Sequence, residues 1–171
     1  MTDSTPDRER SEKAHLPDGS TPQPETTEAE NLPSQGCLLG IDFGTKRIGV
    51  AYCDALQLVA TPLHNYRRGS LNDDEQFFQA VIRDYQIVGA VVGLPVHISG
   101  DESRKSRQAR EFAAWLTRRT LLPVQFQDER YSSVQADAQM SAAGLSEKRR
   151  KNSIDMVAAR IILDDFLQSR G

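Results

Sequence analysis

The sequence predicts an α/β fold, in which a mixed β-sheet carries helices on its faces. Residues 38–53 form two apolar runs joined by a short turn at Gly44, which is typical of a β-hairpin. Residues 87–94 are apolar or glycine at every position, as in a strand covered on both faces of a parallel sheet. Between them, apolar residues recur at three- and four-residue spacing over residues 73–85, which indicates an amphipathic helix.

The remaining elements follow from similar patterns. Residues 60–66 read as a third strand, with Pro62 favouring a sheet edge, and residues 103–119 as a second helix. A short strand over residues 124–127 and a helix ending before Gly144 come next. We predict a polar linker over residues 146–152 and a last helix over residues 153–167.

The first 36 residues differ in composition from the rest of the chain. They lack aromatic residues, Ile and Val, and they carry eight acids and three bases, a net charge of −5. Residues 37–171 carry 18 bases and 16 acids, a net charge of +2. We therefore expect a disordered acidic tail over residues 1–36 and one folded domain over residues 37–171.

The sequence contains neither the apolar core of a signal peptide nor a run long enough to span a membrane. Its two cysteines, Cys37 and Cys53, have no metal-binding spacing and are typical of small buried residues in a reducing compartment. We expect a cytoplasmic protein with no membrane partner.

Three acids occupy positions where chemistry is expected. Asp42 ends the first strand, Glu129 follows the last strand, and Asp155 lies in the first predicted turn of the last helix. Sites in open α/β sheets form at the carboxyl ends of parallel strands, and clustered carboxylates need a compensating cation such as Mg²⁺ or Mn²⁺. Two residue-level alternatives stay open, because Asp42 can cap its own turn and Asp155 can serve the helix dipole.

Basic residues follow in two groups. The second helix begins with Arg104 and Arg107, and the predicted linker contains Arg150 and Lys151. Both groups suit contact with a phosphate backbone, although an ordinary solvated helix face and an exposed linker account for them equally simply.

Four motifs, in this order and at these distances, resemble the YqgF/RuvX family. They are IDFGTKRIGVA, VVGLP, DERYSS and KNSIDMVAARIIL, and the resemblance covers residues 38–167. It implies the ribonuclease H-like fold, a five-stranded mixed sheet whose first three strands form an antiparallel meander. It also implies a metal-dependent nuclease (a hydrolase of phosphodiester bonds) in maturation of the 5′ end of 16S ribosomal RNA, and thus in ribosome biogenesis. The family is also described as Holliday-junction resolvases in DNA recombination and repair.

The resemblance assigns residue roles as well. It implies Asp42, Glu129 and Asp155 as catalytic metal ligands, with Mg²⁺ or Mn²⁺ as the expected ion. If the strand geometry continues through Asp128, its side chain would point to the opposite side from Glu129, where it would only support Glu129. Arg130 would contact a phosphate group. Together with Arg130, the predicted nucleic-acid contacts are Arg47, Arg104, Arg107, Arg150 and Lys151. The implied partners are precursor ribosomal RNA or branched DNA, bound by a monomer or a homodimer.

The chain departs from the family after Gly93-Leu94-Pro95, where His97 stands at an amide position and Ser99 at an acidic one. We expect His97 to be a loop residue without a catalytic task. The run GIDFGT also resembles the first phosphate loop of actin-like ATPases, but no second DxG loop and no second domain follow. A non-catalytic RNA-binding assembly factor is the remaining alternative, and three clustered acids argue against it, since they would repel a polyanion.

Overall fold

The computed structural model describes residues 31–95, 103–128, 132–144 and 146–170. Within these ranges the chain forms five strands and four helices. In chain order they are β1 (Cys37–Phe43), β2 (Arg47–Cys53), β3 (Ala60–Arg67), α1 (Leu71–Tyr85), β4 (Ile87–Leu94), α2 (Arg104–Thr120), β5 (Val124–Asp128), α3 (Ser132–Ala142) and α4 (Glu147–Ser169).

The five strands form one mixed sheet in the order β3-β2-β1-β4-β5. The pairs β1–β2 and β2–β3 are antiparallel, so the first three strands form the predicted meander. The pairs β1–β4 and β4–β5 are parallel. The predicted fold class is therefore confirmed, and the carboxyl ends of β1, β4 and β5 lie at the same edge of the sheet.

Each face of the sheet has its own apolar cluster. Residues of β1, β2 and β4 pack beneath α1 and α2 on one face, where Phe78 and Leu116 are fully buried. The other face packs against α4 through Ile162 and Leu163, and α3 covers the outer side of α4. Burial of apolar surface on both faces explains why β1 and β4 read as continuous apolar runs.

Part of the predicted tail packs against the domain. Leu32 is 2% exposed and belongs to the apolar cluster under α4. The Arg170 guanidinium donates hydrogen bonds to the carbonyl oxygens of Leu32 (2.6 Å) and Pro33 (3.1 Å). The prediction that disorder extends to Gly36 is therefore wrong for residues 31–36, because the buried Leu32 side chain and the hydrogen bonds from Arg170 hold this segment against the domain. Residues 1–30 lie outside the described residues.

The predicted linker over residues 146–152 is also wrong, since α4 begins at Glu147. Its first turns carry charged residues that favour helix without adding apolar periodicity. Asp155 consequently lies in the third turn of α4 rather than in the first. The dipole of a helix acts within its first turn, so it does not account for Asp155.

Across the ranges that the structure describes, no helix is both long enough and apolar enough to cross a membrane.

Candidate active site

A cavity of about 1010 Å³ opens at the carboxyl end of β1, beside the β1–β2 turn. It contains both described members of the predicted acid set together with a basic rim. Its lining residues are Asp42, Phe43, Gly44, Thr45, Lys46, Arg47, Arg67, Pro95, Arg104, Lys105, Gln108 and Asp155.

The alternation of β1 positions Asp42. Leu39 and Ile41 lie in the cluster under α1 and α2, whereas Leu38 and Gly40 face α4. Because side chains alternate along a strand, Asp42 belongs to the α4 face and emerges where the strand ends. It is half-buried, and its backbone is paired with β2, while the pairing of β1 with β4 ends one residue earlier, at Ile41.

A glycine allows Asp155 to approach Asp42. Gly49 is the direct partner of Asp42 in the β1–β2 ladder. A Cβ atom built on Gly49 would lie 1.8 Å from the Asp155 carbonyl oxygen, so α4 touches the sheet at this point. The backbone contact at Gly49 therefore brings an acid from α4 to the end of β1 that carries Asp42.

Arg47 is bonded to one of the two acids. Its Nε donates to Asp155 Oδ2 at 2.9 Å, with the Arg47 and Asp155 side chains 48% and 23% exposed. Arg47 is one of the predicted nucleic-acid contacts, and the structure places its guanidinium on a carboxylate of the site. An exposed pair of this kind is weak enough to exchange for a stronger ligand.

The third predicted acid, Glu129, lies outside the described residues, as do Arg130 and His97. Across the described ranges, no group of three Asp, Glu, His or Cys side chains converges to hold a metal ion. The preceding residue, Asp128, ends β5 as the partner of Leu94. It shares the α2 face with Phe126, over which the Arg110 guanidinium lies at 5.0 Å, and is therefore on the face opposite Asp42.

Of the predicted phosphate contacts, Arg47 and Arg104 line the cavity. Arg107 is exposed on α2 and is not one of the lining residues, and Arg150 and Lys151 belong to the first turns of α4, with side chains outside the described set. The sequence analysis did not assign three of the basic lining residues to the site, nor the glycine that α4 contacts. These are Lys46, Arg67, Lys105 and Gly49.

Comparisons with known proteins show the family to which the chain belongs. A family model described as the RuvX Holliday junction resolvase matches residues 36–169. The chain belongs to this family. It is 39% identical over 148 residues to a protein of Rhodopirellula baltica named "Putative pre-16S rRNA nuclease", with 86% of each chain covered. A Rhodobacter capsulatus protein of the same name is 44% identical over 139 residues, covering 81% of this chain and 87% of the relative.

This chain shares its fold with the fowlpox virus resolvase, whose structure contains substrate Holliday junction DNA. It aligns with a TM-score of 0.50 at 10% identity, covering 78% of this chain and 98% of the other. Membership confirms the predicted family, and this RuvX-family chain is a nuclease that hydrolyses phosphodiester bonds. Nucleases of this fold bind nucleic acids and generally use divalent metal ions.

Proposed function

We propose that this RuvX-family nuclease depends on Mg²⁺ or Mn²⁺ and matures the 5′ end of the 16S ribosomal RNA precursor. The observation that supports it is that Asp42 and Asp155, which are far apart in the sequence, both line one cavity with a basic rim. The names of the two bacterial relatives favour the RNA substrate. Such a substrate would place the enzyme in the cytoplasm.

The donor set fits a hard divalent cation. Mg²⁺ is bound through one or two carboxylates while it keeps several waters, and Asp42 and Asp155 supply two carboxylates. We propose Glu129 as the third, because continuing the alternation of β5 by one residue beyond Asp128 leads to the face of Asp42. In this proposal Asp128 remains on the opposite face and acts only by supporting Glu129.

The residues of this chain would divide the work as follows. When bound, divalent ions supply an activated water and stabilise the leaving oxygen of a phosphodiester. Asp42, Glu129 and Asp155 would hold those ions on rigid elements. Arg47 would leave Asp155 for a phosphate oxygen when substrate binds, since charge-assisted bonds to phosphate are strong and often bidentate.

The variant Asp42→Asn tests the catalytic assignment, because it keeps the side-chain size and removes the charge. We expect metal-dependent cleavage of a 16S-precursor leader to fall by more than about a hundredfold, with folding and RNA binding retained. The matched control is Asp84→Asn, at an exposed carboxylate on α1 that pairs with Arg83. Equal cleavage by Asp42→Asn and the parent chain would refute the assignment.

A second candidate function is Holliday-junction resolution, which the description of the family model favours. Resolution needs two centres that face two strands, and therefore a homodimer. We would give the protein a synthetic four-way junction and the 16S leader with the same metal ion. Symmetric paired nicks and a dimer in solution would favour resolution, whereas RNA-only cleavage by a monomer would exclude it. Binding of the leader without cleavage of either substrate would indicate a non-catalytic assembly factor.

A further inference from the structure

A second cavity, of about 590 Å³, adjoins the first at the end of the β-meander. It is lined by Thr45, Lys46, Arg67, Arg68 and Gly69. Thr45, Lys46 and Arg67 also line the first cavity, so the two cavities adjoin at the β1–β2 turn and the end of β3. A basic surface therefore leads away from the two acids toward the corner between β3 and α1.

Arg67 lies directly opposite Arg47 in the β2–β3 ladder. A register shift between Val50 and Ala51 creates this pair, because continuing the pairing of Cys53 with Ala60 would place Tyr66 opposite Arg47. Like charges directly opposite each other destabilise a sheet. Among the residues that the structure describes, Arg47 has Asp155 as its carboxylate partner, whereas no carboxylate pairs with Arg67. The arrangement is one that a bound anion would stabilise.

The neighbouring Arg68 has a different task. Its Nε donates to Asp74 Oδ2 at 2.8 Å, and its guanidinium lies 5.3 Å from the centre of the Phe43 ring. Asp74 is fully buried and also accepts from the Tyr66 hydroxyl (2.9 Å) and the Gly69 amide (3.2 Å). Burial, followed by the bond to Asp74, raises the pKa of Tyr66 to about 12, so its hydroxyl remains a donor well into the alkaline range.

This network fixes the backbone that carries Arg67. The Arg68 amide donates to the Lys46 carbonyl oxygen at 3.1 Å, which joins the β1–β2 turn to the end of β3. The cationic residues on either side of that bond, Lys46 and Arg67, are both exposed. The Arg68 guanidinium is paired with Asp74. Arg68 therefore fixes the backbone between β3 and α1 and does not contribute its charge to ligand binding.

We propose that Lys46 and Arg67 form a phosphate-binding site for the sugar-phosphate backbone of the substrate beside the bond that is cut. The polynucleotide runs from the first cavity over the β1–β2 turn into the second. This site deepens the proposed function and rests on it for the position of the cut. Binding by the site, however, is measurable without cleavage.

The first test measures RNA binding as a function of salt concentration, using a fluorescently labelled 16S leader and chains that carry Asp42→Asn. Adding Arg67→Gln or Lys46→Gln removes one phosphate contact, and each should weaken binding roughly fivefold. Each should also reduce the slope of log K against log salt concentration by about 0.7 for a single-stranded contact. The matched control is Arg83→Gln, which removes an exposed arginine at the far end of α1 and should leave the slope unchanged.

Protein stability separates a binding role from a structural one. Removing Arg67 relieves its repulsion with Arg47, so Arg67→Gln should unfold at the same or a slightly higher urea concentration than the parent. An unchanged salt slope in Arg67→Gln and Lys46→Gln would overturn the proposal. So would a loss of RNA binding that merely follows a loss of stability.

A second test locates the contact along the substrate. Chains with wild-type Asp42 receive leaders in which single phosphates flanking the cut are replaced by neutral methylphosphonates. At one of these phosphates, the methylphosphonate should slow cleavage by the parent protein about fivefold. The same substitution should not slow cleavage by Arg67→Gln any further, because that variant has already lost the contact. Additive effects at every position would contradict a direct contact. If the parent cuts no leader at all, the proposed function fails, and the salt dependence of binding still decides the phosphate site.

Discussion

At the scale of single residues, two glycines determine how closely α4 approaches the sheet. Gly49 lies under the Asp155 carbonyl oxygen, and Gly40 lies under Ala159, whose carbonyl oxygen would be 2.7 Å from an added Cβ atom. Both glycines are on the α4 face, and Gly40 neighbours Ala51 in the β1–β2 ladder. Neither has an unusual backbone angle that requires glycine. The close approach of the helix therefore accounts for the absence of side chains at both positions.

The variant Gly49→Ala should separate the two acids. Its Cβ atom would meet backbone, which has no rotamer to change, so we expect a loss of about 1–3 kcal/mol in unfolding free energy. Cleavage per folded molecule should fall at least about tenfold, because small displacements of catalytic groups are costly. Gly40→Ala is the matched comparison, since it strains the same interface beside Ala159 and Leu163 and away from Asp155. Parent-level cleavage by folded Gly49→Ala would show that this contact does not place the acids.

At the scale of elements, the strands were predictable because each has an apolar pattern of its own, whereas the antiparallel meander was implied by the family resemblance. The beginning of α4 was not, because Lys148 and its charged neighbours precede the first apolar residue of the helix. Helix propensity extends α4 back to Glu147 without apolar periodicity to mark it. The position of Asp155 within α4 was misjudged for that reason.

The same distinction applies to the site. Asp42 could be identified because a carboxylate ending an apolar strand is unusual in local sequence. Arg67 could not, because its position opposite Arg47 depends on the register shift between Val50 and Ala51. Gly49 was missed for a related reason, since its contact with Asp155 is made between residues far apart in sequence. Local sequence patterns thus predicted residues at the ends of strands. They did not predict contacts between residues that are brought together only by strand register or by helix packing.

At the scale of the whole molecule, the side chains of Arg170 and Gln57 form a hydrogen-bonded clamp that joins residues 32–36 to the end of α4. Arg170 also donates to Gln57 Oε1 at 3.2 Å, and the Gln57 side-chain Nε2 donates to the carbonyl oxygens of Pro33 (2.9 Å) and Gly36 (3.0 Å). Gln57 lies in the turn between β2 and β3, at the opposite end of these strands from the acids. The clamp thus stabilises the domain at a distance from the site, so loosening it should lower stability more than activity.

Truncation distinguishes this packed domain from the predicted tail. The acidic arm, residues 1–30, has no Ile, Val or aromatic residue, so a chain that starts at Asn31 should unfold in urea at the midpoint of the full chain. A chain that starts at Cys37 also lacks buried Leu32 and should lose about 1.5–3 kcal/mol of unfolding free energy. Leu32→Ala in the full chain is the matched control and should lose a similar amount, with cleavage per folded molecule unchanged in all three variants. If the chain that starts at Asn31 is destabilised as much as the one that starts at Cys37, the acidic arm is itself part of the folded domain.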